Sequence, residues 1–422
     1  MKIKYLPILL ALSLSSCGFN IPGLFSSSSS SSSSSESESS SSESSSSSEE
    51  VSSSEEVSSS EESISLEEAS SSEEFSSIES SDHDESEHSH SSDVFVIDTM
   101  STHFLELGTY NTGDSTYIKA GDIDILIDAG SIQRSAATIK EYVDQYCEDG
   151  KLEYVIATHA HKDHIAGFVG TTKIPGIFDA YKIGTLIDFA LTNSDTTLYS
   201  NYVSKREAGL ESGNIEHHYT AKECIKGENG AKSEYILAEG ISMEILDQRY
   251  YYENSSDENN YSVCTLFTQG ENHYLFTGDL EKEGEESLVD LAIERESPLP
   301  HCQLFKGGHH GSKTSNTDKL LSAITPENVC ICCCAGNDEY TKNVDNQFPT
   351  QTAINNIAKY TANIFVTTVT TDGHTGYTSM NGNITFKCDD GVNYTIIGSN
   401  NSTILKETAW FKENRIWPEG GK

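Results

Sequence analysis

Three histidines and an aspartate fall within six residues of one another, in the run Thr158-His159-Ala160-His161-Lys162-Asp163-His164. The run follows the apolar stretch 152–157, which reads as a buried strand, and precedes a helical pattern. Imidazole nitrogens and a carboxylate at this spacing are the donors that divalent zinc favours. His159 and His161 suit one cation, and Asp163 with His164 suits a second. Any fold for this chain must deliver a strand end at residue 158.

Two later passages have the same design. Tyr274-Leu275-Phe276-Thr277-Gly278-Asp279 ends a strand-like run in a glycine and then an aspartate able to bridge two cations. Leu304-Phe305-Lys306-Gly307-Gly308-His309-His310-Gly311-Ser312 ends another in glycines and two histidines. One histidine of the 309/310 pair is expected on a cation. The other is expected to contact substrate or protonate a leaving group. Asp114 and Asp128 are expected to orient the ligand histidines or their loop. Ser312 reads as the cap of the helix that follows.

The folded part of the chain begins near residue 94. Residues 26–92 are almost entirely Ser and Glu, too poor in apolar surface to offset the entropy of ordering, and like charges favour an extended tether. The histidines of 82–90 read as the solvated end of that tether. Ahead of it, residues 1–16 carry Lys2, Lys4 and a short apolar run, which reads as an export signal and is too short to span a bilayer. Leu14-Ser15-Ser16-Cys17 resembles a bacterial lipobox, which implies lipidation at Cys17 and a membrane anchor facing outward from the cytoplasm. The expected organisation is a signal peptide at 1–16, a disordered tether at 17–93, a hydrolase domain at 94–400 and a C-terminal extension at 401–422.

Eighteen acidic residues lie before residue 93, against Lys2 and Lys4. About −23 of the formal −39 therefore belongs to the rest of the chain. Tight non-specific binding to nucleic acid needs clustered Lys and Arg, so this balance disfavours it. Of the ten cysteines, four crowd into Cys330-Ile331-Cys332-Cys333-Cys334, where alternate residues of a strand face opposite ways. They read as small core residues, not as a zinc knuckle or a disulfide framework.

From 94 onward, strands are predicted at 94–97, 104–107, 115–120, 124–128, 152–157, 235–246, 261–268, 274–277 and 303–306. Further strands are predicted at the cysteine run, 364–370, 382–388 and 394–397. Helices are predicted at 135–147, 283–294, 318–324 and 350–359, and residues 170–239 mix polar loops with helices. Two strand-rich halves, each with helices, suggest paired sheets with helices outside.

The order HxHxDH, a later aspartate and a late histidine resembles the metallo-β-lactamase superfamily over residues 96–398. Within it the chain resembles the ComEC-like branch, through Asn111-Thr112-Gly113-Asp114-Ser115 with 124–130, Asn259-Asn260-Tyr261-Ser262-Val263, His309-His310-Gly311-Ser312-Lys313-Thr314-Ser315, and Gly382-Asn383-Ile384-Thr385-Phe386. The resemblance implies an α/β fold, a four-layer αββα sandwich. It also implies two divalent cations, zinc by donor type with manganese as the alternative. His159, His161, Asp163, His164, Asp279 and one of His309 and His310 would be the ligands, with Asp279 shared. Such cations acidify a water for attack on phosphorus or carbonyl centres. ComEC itself usually has aspartate where His161 stands and His-Pro where Phe348-Pro349 stands. The further histidine ligand of many superfamily members has no match ahead of Asp279, and His217 or His218 could replace it. The expected activity is hydrolysis of a phosphoester or phosphodiester on a small molecule or cell-surface polymer. The alternatives are a β-lactam or lactone hydrolase, and a non-catalytic lipoprotein that binds a surface ligand.

Overall fold

The computed structural model describes residues 96–371 and 375–422. In chain order the strands are β1 Met100–Phe104, β2 Thr116–Ala120, β3 Ile123–Ile127, β4 Lys151–Ile156, β5 Lys182–Asp188, β6 Ile215–Thr220, β7 Glu234–Ala238 and β8 Ile241–Leu246. Then follow β9 Cys264–Gln269, β10 Asn272–Phe276, β11 Leu304–Lys306, β12 Asn328–Ala335, β13 Ile364–Thr370, β14 Tyr377–Ser379, β15 Ile384–Cys388 and β16 Tyr394–Gly398. They form two eight-stranded sheets, ordered β16-β15-β1-β2-β3-β4-β5-β6 and β14-β13-β12-β11-β10-β9-β8-β7. The last hairpin thus returns to the first sheet. The helices are α1 Ser135–Val143, α2 Lys162–Val169, α3 Ile177–Ala180, α4 Thr197–Ser212, α5 Ala221–Lys226, α6 Lys282–Glu294, α7 Asp318–Ile324, α8 Gln351–Ile357 and α9 Ala409–Asn414.

The sheets pack face to face through aromatic pairs. Phe104 stacks on Phe276 at 6.1 Å, Tyr154 meets Tyr235 at 5.3 Å, and Tyr274 meets Phe386 at 5.2 Å. Ile139, Ile165, Phe168, Phe178 and Tyr202 of α1–α4 join the core of the first sheet. Leu288, Leu320, Leu321, Ile354, Ile357 and Phe411 of the later helices cover Leu275, Phe305, Val329, Ile331 and Val366 of the second. The architecture is therefore the four-layer αββα sandwich. β12 pairs in parallel on both edges and is buried along its whole length, the usual condition of a parallel strand covered on both faces. Its four cysteines fill that space as thiols, and burial pushes Cys330 and Cys332 well above the ordinary thiol value.

Several boundaries differ from the sequence reading. No strand covers 96–99 or 105–107; β1 lies between them, at 100–104. Its polar Thr102 and His103 are buried because β1 is an inner strand and His103 bonds Tyr142 and Ser101. The predicted strand 235–246 is a hairpin, broken where Gly240 takes φ +70°. Residues 258–261 make a 3-10 turn, so the strand expected from 261 starts at Cys264. The region 170–239 supplies β5, α4, β6 and α5. The extension 401–422 packs Leu405 and Phe411 into the second core, and Arg415 donates to the carbonyls of Val344, Gln347 and Pro349. Among the described residues no helix is long and apolar enough to cross a membrane. The signal, Cys17 and the Ser/Glu tether lie outside the described residues.

Candidate metal centre

β4 ends at Ile156 and α2 begins at Lys162, so the HxHxDH run forms the turn between them. Asp163 and His164 stand in the first turn of α2. Asp128, just past β3, holds this turn. It accepts from the Thr158 amide and hydroxyl, each at 2.8 Å, and its Oδ2 lies 2.7 Å from His164 Nδ1. That contact places the Nδ1 proton on the Asp128 side and leaves Nε2 facing Asp279, 3.0 Å away. The chain beneath must pass close: a Cβ on Gly130 would sit 1.4 Å from the Asp163 carbonyl oxygen. His159 Nε2 and His161 Nδ1 face each other at 3.0 Å.

The second sheet delivers the rest. Beyond β10, Gly278 takes φ +55° and turns Asp279 inward, where its amide donates to Ser262 Oγ at 3.1 Å. Asp279 Oδ2 lies 3.2 Å from His310 Nε2 and 4.0 Å from His309 Nε2. β11 ends in Lys306, and His309 and His310 follow with φ +46° and +52°. Left-handed backbone costs a non-glycine residue about 1–3 kcal/mol, so the surrounding packing must enforce it twice in succession. His310 is buried. Its Nδ1 lies 2.8 Å from the Cys332 carbonyl and its Nε2 3.4 Å from Asp163. His309 keeps a side chain one-fifth exposed, and its Nδ1 lies 3.0 Å from Glu281. Asp114 enters from the loop ahead of β2, 2.5 Å from Lys306 Nζ and 3.4 Å from His310 Nδ1.

Burial opposes charge on His164, His310 and Asp279, yet mutual pairing outweighs it at all three. Burial disfavours charge on His164 and His310, but facing carboxylates, Asp279 foremost, push both well above the ordinary histidine value. Burial would raise Asp279, and the charges of His164, His310 and His309 hold it well below the carboxylate range instead. His159 is pushed well down, first by burial and then by His164.

The donor set fits divalent cations. Asp114, His164, Asp279 and His310 offer ligand atoms within 4.8 Å of one another, all buried. His310 Nε2 and Asp279 Oδ1 have no hydrogen-bond partner, a state that is rare for buried polar atoms unless something else binds them. Of the seven residues singled out from the sequence, His164, Asp279 and His310 belong to this group; Asp163 and His309 lie 3.4 Å and 4.0 Å from its members, and His159, which faces His161, has its ring 4.1 Å from that of His164. His217 and His218 do not join it. They lie on edge strand β6, where His218 Nε2 lies 2.8 Å from Asp188 and His217 is exposed. Ser312 bonds Thr314, while Thr317 caps α7, so the expected cap is displaced by five residues.

Lys306, Glu281 and Tyr340 were not singled out by the sequence reading. Lys306 had a signal, a lone charge inside the apolar run 304–306, and its burial beside Asp114 explains it. Glu281 is two residues beyond Asp279 and accepts from Thr314 and Asn259 besides pairing with His309. Tyr340 sits in an irregular loop, donating its hydroxyl to Asp163 Oδ2, and nothing in the local pattern marks it.

A strand–HxHxDH–helix turn facing an aspartate and a histidine pair from the partner sheet is an arrangement suited to metal-dependent hydrolysis, and it is similar to that of the metallo-β-lactamase superfamily. The superfamily's model matches residues 108–177. The chain is 24% identical over 215 residues to competence protein ComA of Neisseria gonorrhoeae, covering 51% of this chain and 25% of that protein. It is 26% identical over 242 residues to recombination protein 2 of Haemophilus influenzae, covering 56% and 25%. With ComE operon protein 3 of Bacillus subtilis it shares 24% over 183 residues, covering 43% and 20%. The chain thus spans a quarter or less of the length of these relatives. The similarity runs to competence and recombination proteins, in line with the ComEC-like resemblance. Among solved structures, a diphosphatase of the PhnP family overlays at TM-score 0.29 with 14% identity, covering 55% of this chain and 85% of that one. A metallo-β-lactamase from Hirschia baltica overlays at 0.25 with 14% identity, covering 46% and 80%.

Proposed function

We propose that this protein hydrolyses phosphoester or phosphodiester bonds at the outer face of the bacterial membrane. His159 and His161 would hold one cation. Asp163, His164 and His310 would hold the other, with Asp279 shared and Asp114 close enough to contribute. Two bound divalent cations supply a strong nucleophile at neutral pH and neutralise charge on the reacting oxygens. The protein's own groups do the rest. Asp128 fixes the face that His164 presents. The Cys332 carbonyl fixes His310. Glu281 turns His309 Nε2 inward at the open side, where it can hydrogen-bond a substrate oxygen or protonate a leaving group.

The observation that carries the phosphate reading is the charge of the cluster. Two divalent cations and Lys306 would balance the five carboxylates Asp114, Asp128, Asp163, Asp279 and Glu281, so the loaded cluster has no net negative charge to repel an anionic phosphoryl group. The acidic balance of the chain favours a small ester or a surface polymer over long nucleic acid. The lipobox-like run ending at Cys17 supports placement at the membrane, testable by incorporation of labelled fatty acid and its loss in Cys17→Ala. For activity, the purified protein is assayed on chromogenic phosphodiesters and a cephalosporin, with and without chelator. Diester cleavage abolished by chelator and by Asp279→Asn is the expected result. Cephalosporin cleavage alone points to a lactamase, and no turnover with less than one cation per chain to a surface-binding lipoprotein.

A further inference from the structure

The segment 336–349 leaves β12 and reaches across to the loops of the first sheet before α8 begins. It is tied at both ends. The Glu339 carboxylate accepts from Asn111 Nδ2 at 2.7 Å, from the Thr112 amide at 2.9 Å and from Lys162 Nζ at 3.0 Å. These partners flank Asp114 and Asp163. At the other end the Arg415 guanidinium donates to the carbonyls of Val344, Gln347 and Pro349 at 2.8–3.1 Å. Between the ties, Tyr340 points its hydroxyl inward to Asp163 while about half of the residue, 53%, faces solvent. Its ring leans on Phe348 at 5.8 Å, and Phe348 in turn lies 5.6 Å from the His309 ring.

A tyrosine serving only the fold gains most by burying its ring. Tyr340 does the reverse, delivering a donor to Asp163 from the solvent side, with Phe348 between its ring and that of His309. The place of Asp163 does not depend on Tyr340, because Asp163 stands in the first turn of α2 and its carbonyl accepts from the Asp114 amide at 3.0 Å. We propose that Tyr340 is a substrate-binding residue whose phenol donates to a non-bridging phosphoryl oxygen, held over the cluster by the Glu339 and Arg415 ties. This rests on the phosphoester reading above. No covalent step is involved: the phenol moves its hydrogen bond from Asp163 to the substrate, or shares it between them.

The test compares cation-loaded wild type, Tyr340→Phe and Glu339→Gln. Cation content is read by elemental analysis, binding of inorganic phosphate by calorimetry, and KM and kcat with a chromogenic diester. Tyr340→Phe should keep its cations and bind phosphate about tenfold more weakly, the usual consequence of losing a hydrogen bond to a charged group, with KM rising to match. Glu339→Gln should show a smaller loss of the same kind. Unchanged phosphate affinity in Tyr340→Phe overturns the proposal while leaving the phosphoester reading intact. So does loss of cations with normal phosphate affinity per loaded site, which would make Tyr340 a prop for Asp163. Wild type that carries cations and binds no phosphate overturns both.

Discussion

At residues 309 and 310 two successive left-handed conformations send adjacent imidazoles apart, with ring planes 67° to each other and centroids at 6.0 Å. His310 goes inward between Asp163, Asp279 and the Cys332 carbonyl. His309 stays at the edge with Glu281. Their substitutions should therefore separate. His310→Ala should lose a cation, read as stoichiometry below that of wild type. His309→Ala should keep both cations and lose about a hundredfold or more in turnover, the usual scale of a lost acid or base. Equal cation content in both variants would refute this division. Asp128 acts one step further back. It touches no cation site, yet it holds His164 at 2.7 Å and the Thr158 hydroxyl at 2.8 Å. Asp128→Asn should weaken cation affinity by about 10–100-fold with the fold retained, as loss of such supporting partners does elsewhere. A chelator competition titration measures it.

The elements matter through where they stop. Three strands, β4, β10 and β11, end at one edge of the sandwich, and each hands its chain to a turn carrying ligand-type residues. Gly278 shows how little room the turn has. At φ +55°, an added Cβ would sit 2.8 Å from Ser262 Oγ and 3.0 Å from Thr158 Cβ. Gly278→Ala should cost about 1–3 kcal/mol in urea denaturation, from left-handed strain before any side-chain shift. A loss under a few tenths would mean that the turn relaxes. These strand ends were legible in sequence because each couples an apolar run to glycine and a chemical side chain. So was Asp128, as a carboxylate at a strand end. β1 was misplaced, since it buries polar Thr102 and His103, and the partners of His103, Tyr142 and Ser101, are supplied only by the fold. The β7–β8 hairpin was merged because its turn is short and the apolar pattern runs through it. Tyr340 was invisible for a different reason. Its role depends on a 177-residue separation from Asp163, and local periodicity carries no information about that.

At the scale of the whole molecule, the candidate cation cluster joins the two sheets: Asp114 and His164 come from the first, Asp279 and His310 from the second. Cation binding is thereby coupled to stability. Without cations, burial opposes charge on His164 and His310, but Asp279 and the neighbouring carboxylates prevail and hold both pKa values well up. A histidine raised in this way contributes stability that is fully present below its unfolded value, about 6.5, and is lost as pH rises through the raised folded value. Cations require the same nitrogens deprotonated, so they displace those protons and bind more tightly as pH rises. The cation-free protein should therefore lose Tm on going from about pH 6 towards pH 9, while cation-loaded protein resists the change. At a free cation concentration 100-fold above Kd, the loaded form should gain about 2.7 kcal/mol. Differential scanning calorimetry across that range, with and without chelator, measures the gap between the two forms. Titrations in two buffers of different ionisation enthalpy count the protons released. A gap that does not widen with pH, or binding with no proton release, would mean that these two histidines are neutral before the cation arrives and that the carboxylates around them are balanced by Lys306 alone.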